Sequence, residues 1–193
     1  MKKLLIITAA LIFLMNPHQA SALRKTGECL LVIKAAQKGD IETIEMLIDH
    51  SCDVNIVGEN GMTALMGASY KGHYEVVKLL LEQEVDINVI DTDPQGGFSA
   101  LMLATIEGRY AIVKILLQNG ANPNMKRKNG KTALMGAIES GYRAIAQLLL
   151  DNGADIYIED HDGTTAYMLA KNAGETKMMR LLEKYGAKKY EEY

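Results

Sequence analysis

No nucleophile elbow, phosphate-binding loop, dinucleotide fingerprint or metal-binding helix motif occurs in the 193 residues, and no pair of carboxylates recurs. The familiar routes to enzymatic chemistry are therefore missing, and no catalytic residue, cofactor or metal ligand is expected. Low-complexity tracts and Pro/Gly/Ser-rich linkers are missing too, so a single domain of about 170 residues is expected beyond the leader described below. Neither sign of charge dominates. Lys and Arg number 21 against 24 Asp and Glu, a net charge of −3. That mild acidity argues against nucleic acid or an anionic membrane as partner. Cysteine is scarce, with two residues, Cys29 and Cys52. Past residue 22, no apolar stretch approaches the roughly 20 residues of a bilayer span.

The first 22 residues stand apart in composition. Lys2 and Lys3 give a positive start, residues 4–15 are nearly all apolar, Asn16-Pro17 breaks any helix, and Ala20-Ser21-Ala22 satisfies the small-residue cleavage rule. This pattern fits a bacterial secretory signal peptide cleaved after Ala22. The alternative, an uncleaved anchor, would need a longer apolar run. Losing Lys2 and Lys3 takes the 21 basic residues to 19 against 24 acidic, a net charge of −5. A periplasmic or secreted location follows as an expectation, with no membrane contact after cleavage.

What the chain does have is a period. Gly39, Gly72, Gly108, Gly141 and Gly174 are spaced by 33, 36, 33 and 33 residues. Each is preceded four positions earlier by Ala35, Ala68, Ala104, Ala137 or Ala170, and followed by a short aliphatic run such as Leu79-Leu80-Leu81 or Leu148-Leu149-Leu150. A fixed period of this size means stacked repeats. Residues 127–159 are the cleanest copy. Asn129-Gly130 is a turn dipeptide, and Thr132 offers a hydroxyl at a helix start. A short helix over residues 133–140 ends at Gly141. A second over residues 142–151 ends near Gly153, where a left-handed cap is wanted. Neither helix can bury its apolar face alone, so each repeat must lean on its neighbours.

Residues 61–88 run Gly61-Met62-Thr63-Ala64-Leu65-Met66-Gly67-Ala68-Ser69-Tyr70-Lys71-Gly72-His73-Tyr74-Glu75-Val76-Val77-Lys78-Leu79-Leu80-Leu81, then Val85-Asp86-Ile87-Asn88. This closely resembles the ankyrin repeat. The resemblance covers about residues 28–189 and implies an all-α solenoid of five helix-turn-helix repeats, near 28–57, 58–90, 91–126, 127–159 and 160–189. The first begins directly at a helix and the last ends in charge, so both ends suit caps. Two departures matter. The family's helix-start Pro-Leu-His reads Ala64-Leu65-Met66, Ala100-Leu101-Met102, Ala133-Leu134-Met135 and Ala166-Tyr167-Met168 here. The methionine column fits core packing better than a sacrificial oxidant sink. Ser51 and Glu84 stand where glycine caps the second helix, at a cost of about 1 kcal/mol each if the left-handed conformation is kept.

Cys29 falls at the start of the first repeat's first helix and Cys52 just past the end of its second. Antiparallel helices bring those ends together, and an exported protein meets an oxidising compartment. A Cys29–Cys52 disulfide is expected; the alternative is two free thiols packed as small apolar groups. His50 is near in sequence, but two cysteines and one histidine without ligand spacing make no zinc site.

The resemblance further implies that turn tips and the exposed face of each first helix line a concave surface that binds another protein. These positions are Glu59, Asn60, Met62, Tyr70 and Lys71; Asp93, Pro94, Gln95, Phe98, Ile106 and Glu107; Lys126, Lys128, Asn129, Lys131, Glu139 and Ser140; and Glu159, His161, Asp162, Thr164 and Asn172. The third turn carries three extra residues within 91–97. Tyr70, Phe98 and Ile106 form the expected apolar anchor, and Lys128 and Lys131 an expected basic rim. The chain is read as a non-enzymatic, monomeric protein-interaction module. Two other readings stay open: a periplasmic accessory in peroxide defence, and an exported effector acting on a host or competitor.

Overall fold

The computed structural model describes residues 27–93 and 96–187, so the expected leader, Pro94, Gln95 and the lysines and glutamates after Ala187 lie outside the described residues. Among the described residues, ten helices run in five pairs. The first pair is α1 (Leu31–Lys38) and α2 (Ile41–Asp49), and the second is α3 (Ala64–Lys71) and α4 (Tyr74–Leu81). The third is α5 (Ala100–Ile106) and α6 (Tyr110–Gln118), and the fourth α7 (Ala133–Glu139) and α8 (Arg143–Asp151). The last is α9 (Ala166–Asn172) and α10 (Thr176–Lys184). Among the described residues there is no strand, and no helix is long and apolar enough to cross a membrane. The odd-numbered helices form an inner row in which each packs on the next, from α1 through α9. The even-numbered helices form an outer row. In it α4 packs on α6 and α6 on α8.

The recurring small residues explain the row. Ala35, Ala68, Ala104, Ala137 and Ala170 are all buried, at 4% exposure or less. A larger side chain there would hold neighbouring inner helices apart. The same alanines turn the chain back. Their carbonyls accept the amides of Asp40, His73, Arg109, Tyr142 and Glu175, the residues that begin the outer helices. Each inner helix from α3 on starts at a hydroxyl cap: Thr63, Ser99, Thr132 and Thr165 accept the amides of Met66, Met102, Met135 and Met168. Such a cap stabilises by about 1 kcal/mol. The methionine side chains fill the core behind these caps; Met66, Met102 and Met135 are buried and Met168 partly so. Their burial favours packing and shields three of the four sulfurs from a soluble oxidant.

Cys29 lies in a helical turn just ahead of α1, and its sulfur stands at disulfide distance from that of Cys52, with the α-carbons 5.2 Å apart. The antiparallel hairpin of α1 and α2 brings them together, as the sequence implied.

The end of each outer helix distinguishes the two glycine replacements. Ser51 takes φ 60°, the left-handed conformation that Gly120, Gly153 and Gly186 hold at the same register. The amides of Ser51 and Cys52 close on the carbonyls of Ile48 and Leu47, as those of Gly120 and Ala121 close on Leu117 and Leu116. Ser51 is the one non-glycine with positive φ among the described residues. Glu84 does not follow. The second repeat leaves α4 through Glu82 in right-handed geometry, with the Val85 amide bonded to the Gln83 carbonyl. The expected left-handed cost therefore falls on Ser51 and is avoided at Glu84. Ser51→Gly should raise stability by about 1 kcal/mol, and Glu84→Gly should not. Paired urea titrations check this: an equal gain at both positions would contradict the backbone difference.

Candidate functional site

Two hydrogen-bond ladders run across the repeats. One joins the hairpin tips through backbone alone. The Thr92 amide donates to the Asn60 carbonyl (3.1 Å), Lys128 to Gly96 (3.2 Å) and His161 to Asn129 (3.0 Å). The other is an asparagine ladder near the hairpin bases. Asn55 Nδ2 donates to the Glu84 carbonyl while its Oδ1 accepts the Asp86 amide. Asn88 makes the same pair with Gly120 and Asn122, and Asn124 with Gly153 and Asp155. Each side-chain amide uses donor and acceptor together, so one residue fixes the pitch between two repeats. In the last repeat Tyr157 takes this register, and its hydroxyl donates to the Gly186 carbonyl at 2.7 Å.

Two buried aspartates shape the turns they begin. Asp91 Oδ1 accepts the amides of Gly97 (2.8 Å) and Phe98 (3.2 Å). Asp160 Oδ1 accepts those of Thr164 (2.9 Å) and Asp162 (3.0 Å). The Thr164 amide, followed by that of Asp162, holds the Asp160 carboxyl below the ordinary carboxylate range against its burial. Asp160 thus serves its own turn, and no metal-holding cluster occurs among the described residues. The two share a register: each opens a hairpin, with the positive-φ glycine six residues on at Gly97 and three on at Gly163. The notable absence was any residue type announcing that the carboxylate points inward.

The expected anchor residues are distributed as follows. Tyr70 is 39% exposed at the end of α3, with the Lys71 ammonium 5.1 Å from its ring centroid. Ile106 occupies the same register on α5 and is partly buried. Its Cγ2 lies 3.2 Å from where a Cβ on Gly136 would stand. Phe98 is partly buried at the base of the third hairpin, with the Arg127 guanidinium 3.9 Å above its ring. Its amide and carbonyl both bond to Asp91. Phe98 therefore joins the third turn to the fourth, leaving Tyr70 as the more exposed aromatic. Glu107 lies 4.0 Å from Arg109 across one loop.

The basic fourth turn differs from its expected role as a free rim. Lys128 Nζ donates to the Asp93 carbonyl (2.5 Å), and Lys131 Nζ meets Glu139 Oε1 at 2.5 Å. Lys126 Nζ donates to the Glu159 carbonyl (3.1 Å). With Arg127 on Phe98, three of the four cations reach into a neighbouring repeat, and Lys131 pairs within its own. The physical reason is stacking. Turn carbonyls from adjacent repeats sit within reach of Lys126 and Lys128, and the Phe98 ring within reach of Arg127, which the linear charge run could not reveal.

No curated protein matches the chain. The family model described as ankyrin repeats (3 copies) matches residues 6–91 and 91–160. With five stacked helical hairpins, hydroxyl-capped inner helices and a cross-repeat asparagine ladder behind that match, the chain belongs to the ankyrin-repeat family.

Proposed function

We propose that this protein acts by binding a partner protein on its concave face, over the second to fourth repeats. Ankyrin repeats are generally protein–protein interaction modules and typically carry no enzymatic activity. The observation that carries the placement is Tyr70, an aromatic left 39% exposed on an inner helix, followed in register by Ile106. Exposed aromatics in a concavity tend to anchor partners, while flanking charges set association rate and salt sensitivity. Lys71, Asp93, Glu107, Lys128, Lys131 and Glu139 form the polar surround. Once a partner is captured from the native compartment, Tyr70→Ala should weaken its binding by about 2 kcal/mol or more, with helix content unchanged. Lys128→Ala, at a side chain already held on the Asp93 carbonyl, should weaken it less. Unaltered capture by Tyr70→Ala would sink the placement.

Export is part of the same reading. The leader composition supports it, and the cysteine pair at disulfide distance accords with an oxidising compartment. Mass spectrometry of the natively expressed protein should find Leu23 at the N-terminus. An intact Met1 in the cytoplasm would refute it.

A further inference from the structure

We propose that the groove between the outer helices α8 and α10 is a second docking site, taking an acidic segment of a partner protein. It lies on the outer row, whereas Tyr70 and Ile106 lie on the inner row. Here α10 packs less closely on α8 than the other outer helices from α4 onward pack on one another, and a cleft of about 620 Å³ opens, within the roughly 300–1,000 Å³ of ligand clefts. Its walls are Arg143, Ala144 and Gln147 from α8 and Lys177, Arg180 and Leu181 from α10. Three cations line it and no acid does.

The charge is uncompensated locally, though the whole chain is acidic. The ion pairs among the described residues are Glu107–Arg109 and Lys131–Glu139, and none involves Arg143, Lys177 or Arg180. All three side chains are exposed. The acids of the same helices are occupied elsewhere. Asp151 accepts the Tyr185 hydroxyl and Gln147 Nε2, and Glu183 accepts the Tyr167 hydroxyl at 3.1 Å. Gln147 also donates to Tyr185, which fixes one wall of the cleft. The basic fourth turn is consumed by internal contacts, whereas these cations are left for something outside the chain.

Shape selects the occupant. Lys177 and Arg180, three apart, share one face of α10. Arg143 stands on the opposite wall, so positive charge faces a cleft edged by Ala144 and Leu181 from both sides, one cation on α8 and two on α10. A chain segment carrying several carboxylates matches this spread. Its side-chain methylenes meet the apolar residues while its carboxylates reach both walls. A single small anion would engage only part of it. Planar arginine forks favour carboxylate pairing.

A fluorescein-labelled hexaglutamate peptide is the probe, titrated into the purified full chain at low salt. The variant R143Q/K177Q/R180Q should bind about tenfold more weakly or worse, three exposed charge pairs being lost together. The control K78Q/K114Q, at outer positions of α4 and α6 that do not line the cleft, should stay within about twofold. Backbone amide shifts should concentrate in residues 143–147 and 177–181, and Tyr70→Ala should leave them unchanged, which separates this site from the concave face. Thermal melts establish that the variants are folded. Equal binding by the triple variant overturns the proposal, as does equal weakening by the control. Inorganic phosphate alone reproducing the shifts and displacing the peptide at similar concentration would mean a small-anion site and overturn it too.

Discussion

Gly130→Ala should destabilise the array by about 2–5 kcal/mol, while Gly163→Ala, at the same hairpin register, should cost only about 1–2 kcal/mol. Both glycines take left-handed backbone, φ 83° at Gly130 and 73° at Gly163, so both variants incur the same conformational penalty. They differ in what lies beside them. A Cβ on Gly130 would sit 2.8 Å from the His161 amide nitrogen and 2.9 Å from the Asp160 α-carbon, whereas one on Gly163 meets nothing within 4 Å. Backbone cannot swing aside as a side chain can. The added methyl must therefore push the fifth hairpin off the fourth and break the bond from the His161 amide to the Asn129 carbonyl. Repeat arrays lose neighbours one at a time, so the damage should begin in the last repeat. Hydrogen exchange should show residues 160–187 losing protection first in Gly130→Ala. Equal losses for the two variants would mean that the close approach between hairpins carries no energy.

Removing the cysteine link is the second large effect. Cys29 and Cys52 are separated by 23 residues, and closing a loop of that size restricts the unfolded chain by about 3 kcal/mol in the chain-entropy model. The link spans the first repeat, which has a neighbour on one side alone among the described residues. It also ties down Ser51, held at φ 60° beside Cys52. In Cys29→Ser/Cys52→Ser, or after reduction, the urea midpoint should fall by an amount equivalent to about 3 kcal/mol, and α1 and α2 should exchange amide protons first. Nearly identical midpoints for oxidised and reduced protein would show that packing of α1 on α3 already holds the cap.

Much of this was readable in the linear chain because it depends on local rules repeated in register. The alanine column had to be small wherever inner helices meet. Thr132 at a helix start had to be a cap, and the same reading applies to Thr63, Ser99 and Thr165. The proximity of the two cysteines was legible in the hairpin, since antiparallel helices place one start beside one end. Glu84 was harder. Its position was identified, but whether the chain would accept a strained cap or leave the helix another way depends on how Gln83 and Val85 settle. Phe98 shows the same limit. Its apolarity marked it as an anchor, but only the fold brought Arg127 over its ring and Asp91 onto its backbone.

The sequence by itself determined the number and order of helical pairs, the hydroxyl caps and the buried alanine column. Each is a property of one repeat, written several times. The tertiary structure decided everything that happens between repeats. Hairpin tips are joined through backbone amides that carry no residue signature. The asparagine ladder reaches carbonyls about 30 residues away, as from Asn55 to Glu84. Lys126, Arg127 and Lys128 of the basic turn are taken up by neighbouring repeats, while Arg143, Lys177 and Arg180, unremarkable in sequence, converge on one cleft. The physical reason is that a charge or a donor acquires its role from its partner, and in a stacked array that partner belongs to the next repeat.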